Sequence, residues 1–191
     1  MPRILFEYDP PERFVAGTVG EPGQRTFFLQ ASGSGHTTSV ALEKQQVSVL
    51  AERVEALLDE VVRRSAGQSS VPAVTPADVE DNAPLASPIE EEFRVGTMAL
   101  TWDSDDEVVV IEAQALTEDE DEDEDEETSL ITGDEEDGPP LLRVRISGPA
   151  ARAFVSRAQA VVAAGRPPCP FCGGPLDAAG HVCPRANGYR R

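Results

Sequence analysis

Two stretches of this chain share one apolar pattern, and the repetition constrains the fold more than any other feature of the sequence. In the first stretch, apolar residues recur at the three- and four-residue spacing of one helix face, at Val47, Leu50, Ala51, Val54, Leu57, Leu58 and Val61. The first six positions, moved 104 residues along the chain, meet a second apolar set at Ala151, Phe154, Val155, Ala158, Val161 and Val162. Both stretches are therefore predicted to be amphipathic helices that bury one face.

Three predicted strands precede each predicted helix. Alternating apolar residues indicate half-buried strands, and Val40 and Leu42 in the first half have apolar counterparts 104 residues later. The predicted elements are strands 13–20, 25–31 and 37–43 with helix 44–64, strands 93–102, 107–115 and 141–146 with helix 148–164, and an edge strand from Ile4 to Tyr8. Short connections containing Gly or Pro favour antiparallel hairpins. Ser147 and Pro149 suit the first turn of the second helix, Ser147 as its N-cap.

This pattern predicts an α+β fold. Two pseudo-duplicated strand-strand-strand-helix halves would form a two-layer structure, with both helices on one face of an antiparallel sheet. The predicted domains are a first half at 1–64, a disordered linker at 65–92, a second half at 93–164, and a zinc knuckle and tail at 165–191. The alternative to a duplication is a chance likeness, because amphipathic helices resemble one another easily.

The negative charge of the chain is concentrated in one segment. The 191 residues have a formal net charge of −19, and ten plus four of the 35 acidic residues lie in 118–127 and 134–137. Without these 14, the remaining 21 acidic residues face 16 Lys and Arg, a net charge of −5. The segment 117–139 is predicted to be an acidic disordered insertion, because like charges at this density extend the chain. It is either a solvating loop or a docking tail for a basic partner.

The C-terminal region contains a set of residues with the spacing of metal ligands. Cys169, Cys172, His181 and Cys183 form the pattern C-x2-C-x8-H-x-C. Three thiolates and one imidazole are the closed ligand set of a structural zinc site, so one structural zinc ion is predicted as the cofactor. Two alternatives remain. One is a redox pair of Cys169 and Cys172, which the following Gly-Gly-Pro disfavours because such pairs open a helix. The other is three idle, buried cysteines around a surface histidine that bind no metal.

No catalytic constellation is evident in the sequence. Phosphate-binding loops, the Gly-x-Ser-x-Gly turn of hydrolases and the His-Glu-x-x-His helix of metalloproteases are all missing. The sequence therefore favours a non-catalytic protein, without catalytic or further cofactor-binding residues. One alternative is an enzyme or small-ligand binder whose site lies between the two halves, using polar residues such as Arg25, Glu43, Lys44 and Gln45.

The expected partner is another protein. Nucleic-acid binding through the basic tail, with Arg166, Arg185, Arg190, Arg191 and a stacking Tyr189, is the other alternative, but the net negative charge repels a phosphate backbone. No apolar run approaches the length of about 20 residues that crosses a membrane, so no membrane contact is predicted. The chain also begins without a secretory signal, which predicts a cytoplasmic protein.

Several blocks of the sequence resemble an uncharacterised actinobacterial family that contains a domain of unknown function. These blocks are FEYDPPERFVAGTVGEPGQRTFFLQA, VALEKQQV, FRVGTMALTWD and CPFCGGPLDAAGHVCPRANGYRR. They cover nearly the whole chain outside 65–92 and the acidic insertion. The resemblance implies no established enzymatic activity. It implies a loose association with the chromosome-partitioning ATPase system and hence a regulatory, protein-binding role. The positions that match its metal pattern are the same three cysteines and His181.

Overall fold

The computed structural model describes residues 2–66, 68–117, 137–165, 169–172, 176, 183 and 185. The predicted helices and strands are confirmed within this part of the chain, with small shifts at their ends. Their bounds are β1 Leu5–Tyr8, β2 Arg13–Val19, β3 Thr26–Gly33, β4 His36–Leu42, α1 Lys44–Arg64, β5 Glu91–Asp103, β6 Val108–Ala115, β7 Leu141–Ser147 and α2 Gly148–Ala163. The fold is α+β, as the sequence predicts. Most of the predicted acidic insertion, 118–136, lies outside the described residues.

The seven strands form one mixed sheet in the order β1-β7-β6-β5-β4-β3-β2. The prediction of an antiparallel sheet is wrong for two pairs, because β4 and β5 are parallel, as are β1 and β7. A hairpin reverses the chain, whereas α1 and the residues after it return the chain to the starting end of β4 before β5 begins. The two antiparallel triplets are therefore joined through a parallel pair.

The connection between β1 and β2 forces the sheet to curl. These strands are the two edges of the sheet, yet only residues 9–12 separate them. Five Cα steps reach at most about 18 Å, whereas a flat sheet of seven strands would hold its edges about 29 Å apart. The first edge strand accordingly approaches the strands of the opposite half of the sheet: the hydroxyl groups of Tyr8 on β1 and Thr38 on β4, the third strand from the other edge, are hydrogen-bonded at 2.8 Å.

The two helices complete the core. The buried apolar stripe of α1 is the predicted one, at Val47, Leu50, Ala51, Val54 and Leu58. On α2, Ala151, Phe154, Val155 and Ala158 are buried together with Arg152. All the apolar members of both stripes belong to one hydrophobic cluster with the inner residues of the sheet. α2 packs against β2 and β7, which lie near opposite edges of the sheet, so it fills the gap that the curl leaves.

Local contacts explain where the helices begin. The side chain of Gln46 accepts the backbone N–H of Glu43 at 2.8 Å, which fixes the start of α1. The prediction that Ser147 caps α2 is confirmed, since its hydroxyl accepts the backbone N–H of Ala150 at 3.5 Å. Pro149 lies in the first turn of α2, where its missing N–H costs nothing.

Residues 68–90, here named the crossover segment, lie within the range predicted to be a disordered linker. In the structure this segment lies against the body of the protein. Val71 is buried with 6% of its surface exposed, and the backbone N–H of Ala86 donates to the side chain of Gln30 at 2.8 Å. The side chain of Leu85 covers Gly17 on β2 so closely that an added Cβ would lie 2.6 Å from Leu85 Cγ. Few apolar residues are enough here, because the segment covers a surface that the sheet and α2 have already built.

Two arginines attach the crossover segment to the edge of the sheet. Arg13 on β2 donates to both carboxylate oxygens of Asp81, at 2.6 and 3.0 Å. Arg157 on α2 donates to one carboxylate oxygen at 3.1 Å and to the backbone carbonyl of Asp81 at 2.6 Å. It also donates to the carbonyl of Ala16 at 2.7 Å, so an unpaired edge group of β2 is satisfied by a side chain instead of another strand.

Gly17→Ala tests the packing of the crossover segment on β2. The new methyl group collides with Leu85, and we expect the free energy of unfolding to fall by about 1 kcal/mol. In a Leu85→Ala background the new methyl group no longer collides with a leucine side chain. There we expect Gly17→Ala to raise the free energy of unfolding by about 0.5 kcal/mol, because alanine suits a strand better than glycine. Urea unfolding of the four proteins gives the coupling energy. Equal effects of Gly17→Ala in both backgrounds would show that Leu85 does not cover β2.

Asp81→Asn tests the two-arginine contact through its pH dependence. The hydrogen bond from Arg13 lowers the pKa of Asp81 below its usual value. The ionised carboxylate therefore stabilises the fold fully above the unfolded-state pKa of about 3.9, and this contribution is lost as the pH falls through the lower folded-state pKa. We expect the deficit of Asp81→Asn in urea unfolding to be largest near neutral pH and to shrink below about pH 4.

The matched control is Asp78→Asn. Asp78 lies on the same segment, is exposed, and has no ion pair among the described residues. A stability deficit of Asp81→Asn that stays constant from neutral to acidic pH, or one that Asp78→Asn reproduces, would contradict the role of the carboxylate.

Candidate metal centre

Three of the four predicted metal ligands lie together. The sulfur atoms of Cys169, Cys172 and Cys183 are all within 4.8 Å of one another, and none of the three is in a disulfide. The sulfurs of Cys169 and Cys183 are 3.8 Å apart although 14 residues separate them along the chain. The C-terminal segment therefore folds back and brings the third cysteine to the Cys-x-x-Cys turn.

The spacing of the sulfurs fits a metal ion. Zinc–thiolate bonds of about 2.3 Å in a tetrahedron place two sulfurs about 3.8 Å apart, and Cys169 and Cys183 have this separation. A disulfide needs sulfurs about 2.05 Å apart, so the two thiols are not bonded to each other, and their separation is compatible with two ligands of one ion. The three cysteines could hold a metal ion, and this cluster is the candidate site among the described residues.

The turn between the first two cysteines favours the thiolate form of Cys169. Backbone N–H groups of Cys172 and Phe171 point at its sulfur and lower the pKa of the Cys169 thiol to about 6, against the opposing effect of burial. Hydrogen bonds of this kind stabilise negative charge on the sulfur. Metal ions bind the thiolate form of cysteine, so the backbone of this turn favours the form of Cys169 that a metal ion would need.

Two of the three cysteines are buried, whereas the phenylalanine between the first two cysteines is exposed. Cys169 and Cys183 are buried, with 4% and 7% of their surfaces exposed. Phe171 lies between the first two ligands and exposes 66% of its surface. Arg185, two residues after the third cysteine, donates to the carbonyl of Phe171 at 3.2 Å. This hydrogen bond joins the two ends of the cysteine segment.

The fourth predicted ligand, His181, lies outside the described residues. The described sulfurs supply three donors, which is one fewer than a closed tetrahedral site uses. His181 as the fourth ligand therefore stays a prediction from the sequence.

The polar residues of the alternative enzyme hypothesis are only partly brought together. Arg25 and Lys44 line a cavity of about 480 Å³ beside the end of α2. Arg25 donates to the carbonyl of Ala164 at 2.6 Å, so its role there includes a contact with the helix end. Glu43 instead pairs with Arg94 at 2.9 Å, and Gln45 is exposed and does not line the cavity.

Sequence reasoning missed the contact that Arg13, Asp81 and Arg157 form. The three residues lie on β2, on the crossover segment and on α2, and 144 residues separate the first from the last. Single charged residues at such separations are indistinguishable from solvated surface charges in a sequence. The cysteines are different, because their spacing along the chain already predicts that they bind one metal ion together.

The fold and this site define the class: an α+β protein with a cluster of three cysteines that could hold a metal ion. The profile of the family described as "Protein of unknown function (DUF3090)" matches residues 6–183, and the chain belongs to this family. This agrees with the resemblance to a family of unknown function. No curated protein and no solved structure shows a significant match to the chain. No helix in the described part of the chain is long and apolar enough to cross a membrane.

Proposed function

We propose that this protein is a non-catalytic, cytoplasmic zinc protein whose C-terminal knuckle contributes to binding another protein. The observation that supports the proposal most directly is the clustering of the sulfurs of Cys169, Cys172 and Cys183 within 4.8 Å. Thiolates are soft ligands that select zinc among the abundant divalent ions of a cell. The ion in this proposal is a single structural zinc, and His181 completes its shell.

A structural role for the metal follows from the number of donors. Catalytic zinc usually has three protein ligands and one position open to water, whereas this segment offers three thiolates and one imidazole. A shell filled by four protein donors leaves no vertex for a reacting water. The segment 165–191 is also too short to build a core of its own, so the metal would provide most of its folding free energy.

The metal proposal predicts about one zinc ion per chain in the purified protein. Cys172→Ser removes one thiolate, and we expect it to lower the zinc content to a small fraction of the wild-type value. The two histidines of the chain offer a matched pair. His181→Ala removes a ligand, so we expect it to weaken zinc binding by more than the roughly tenfold to hundredfold that is typical of changes to outer-shell partners. His36→Ala should have no effect, because His36 is the exposed first residue of β4.

Elemental analysis and competition with a chromophoric chelator measure these contents and affinities. A wild-type protein that carries no zinc after expression in a zinc-supplemented medium and purification under reducing conditions would contradict the metal proposal. Equal zinc affinities of His181→Ala and His36→Ala would contradict the fourth ligand and would favour a zinc with an open position.

The partner in this proposal is a protein that contacts the exposed face of the knuckle. Phe171 supports this, because it lies between Cys169 and Cys172 in the chain and is a large apolar side chain with 66% of its surface exposed. A rigid metal-bound turn can present such a ring at a low entropic cost. The acidic insertion would add a negative surface for a partner with basic residues. The first partner to test is the chromosome-partitioning ATPase that the family resemblance implies.

Affinity capture with the zinc-loaded full-length chain tests the partner proposal. We expect specific proteins to be enriched from an extract of the native cells, and Phe171→Ala to reduce their recovery at least about tenfold. Val74→Ala is the control, because Val74 is an exposed apolar residue on the crossover segment. Failure to enrich any protein over repeated conditions, or equal losses with the two variants, would count against a knuckle-mediated contact.

The proposal includes an origin of the body by internal duplication. The order of three antiparallel strands and one helix occurs twice, as β2-β3-β4-α1 and as β5-β6-β7-α2, which supports this origin. The apolar stripes of α1 and α2 also correspond at a constant offset. In this view β1 is an addition to the second triplet, since it pairs with β7 alone.

A further inference from the structure

A second candidate site lies where the edge of the sheet meets α2. A cavity of about 420 Å³ opens between β2, α2 and the crossover segment, within the range of volumes that small-molecule sites occupy. Its lining includes Phe14, Ile146, Ala153 and Phe154, and Pro10 from the connection between β1 and β2. The residues come from separate parts of the chain, and the cavity exists because the curled sheet does not close completely around α2.

One wall of the cavity is aromatic. The rings of Phe14 and Phe154 are stacked, with centroids 4.8 Å apart and planes 17° from parallel. Phe154 is buried, whereas Phe14 is only partly buried and lines the cavity. A flat aromatic molecule can therefore pack beside this pair and bury apolar surface of its own.

Two arginines bring positive charge to the rim of the cavity, and one of them has a donor atom without an acceptor among the described residues. Arg13 binds Asp81 and the carbonyl of Ala83 through Nε and Nη2 only, and within the described residues its Nη1 atom has no acceptor. Arg157 adds a second guanidinium, so two positive charges face the single carboxylate of Asp81. The other acidic residue of the rim, Glu12, is exposed and accepts the backbone N–H of Ser34 at 3.1 Å. An anionic group on a ligand could thus accept a hydrogen bond from Arg13 Nη1, which has no acceptor in the described part of the chain.

We propose that this cavity binds a small aromatic carboxylate. The ring of the ligand packs beside Phe14 and Phe154, and the carboxylate accepts hydrogen bonds from Arg13 Nη1. Aromatic area provides affinity, while the guanidinium selects an anion over a neutral molecule of the same shape. None of the residues that line this cavity is a cysteine, and the proposal does not depend on the metal or on a protein partner.

Titration of the full-length, zinc-loaded protein with 1-naphthoate tests the site. We expect saturable binding by calorimetry, with chemical-shift changes in NMR spectra centred on Phe14, Val15 and Ala153. The neutral analogue 1-naphthylmethanol is expected to bind at least about tenfold more weakly, and acetate, which has no ring, not detectably. Shift changes that map elsewhere, or equal affinities for the acid and the alcohol, would overturn the proposal.

Substitutions on α2 provide a matched comparison. Ala153→Phe fills the cavity and should reduce the affinity for 1-naphthoate at least about tenfold, whereas Ala160→Phe, two turns further along at an exposed position, should leave it unchanged. Equal binding of 1-naphthoate by the Ala153→Phe and Ala160→Phe variants would refute the site. The shift map of the unaltered protein decides the question if Ala153→Phe does not fold.

A substitution on β2 tests the charged contact. Arg13→Lys should lower the affinity ratio of acid to alcohol, because an ammonium group does not reproduce the geometry of the guanidinium. Both probes contain the same naphthalene ring system. The ratio of their affinities within one variant therefore reports the charged contact independently of any change in packing. An unchanged ratio in Arg13→Lys would show that the carboxylate does not bind Arg13.

Discussion

The short connection between β1 and β2 is the constraint on which the rest of the structure depends. Residues 9–12 tie the two edges of a seven-stranded sheet together, and they are too few to span a flat sheet. The sheet therefore curls, and α2 packs against both ends of it. Arg157 then satisfies an edge carbonyl of β2 that no strand can reach. The cavity beside Phe14 and Phe154 lies where α2 does not completely fill the gap that the curled sheet leaves.

The charges of the protein are divided between two environments with different physical consequences. The described body pairs its arginines closely: Arg143 lies directly across from Glu112 on the neighbouring strand, 2.7 Å from its carboxylate, and Arg145 contacts Asp103 at 2.8 Å. Arg143 and Glu112 form a cross-strand pair, and such pairs favour one register over another more than they add stability. Arg145 instead reaches from β7 past β6 to Asp103 on β5. Most of the net charge of −19 instead comes from the 14 acidic residues in 118–127 and 134–137.

The sequence predicted the elements of this fold better than their arrangement. Helical and alternating apolar periods are local properties, and they located α1, α2 and the strands. The predicted antiparallel direction of β5 relative to β4 was wrong. Strand direction here depends on how a connection of nearly 50 residues returns the chain to the sheet. The segment 65–92 has a polar, proline-containing composition, but Val71, Asp81 and Leu85 find partners on a surface that only the folded body offers.

By itself the sequence determined the α+β class, both amphipathic helices and the cysteines of the candidate metal centre, because each depends on spacings of a few residues along the chain. The tertiary structure alone decided the mixed sheet, its curl, the path of residues 68–90 and the meeting of Arg13, Asp81 and Arg157. These features depend on contacts between residues that are tens of positions apart. Such contacts form only when distant segments come together in the fold and offset the conformational entropy that those segments lose, so no local pattern in the sequence encodes them.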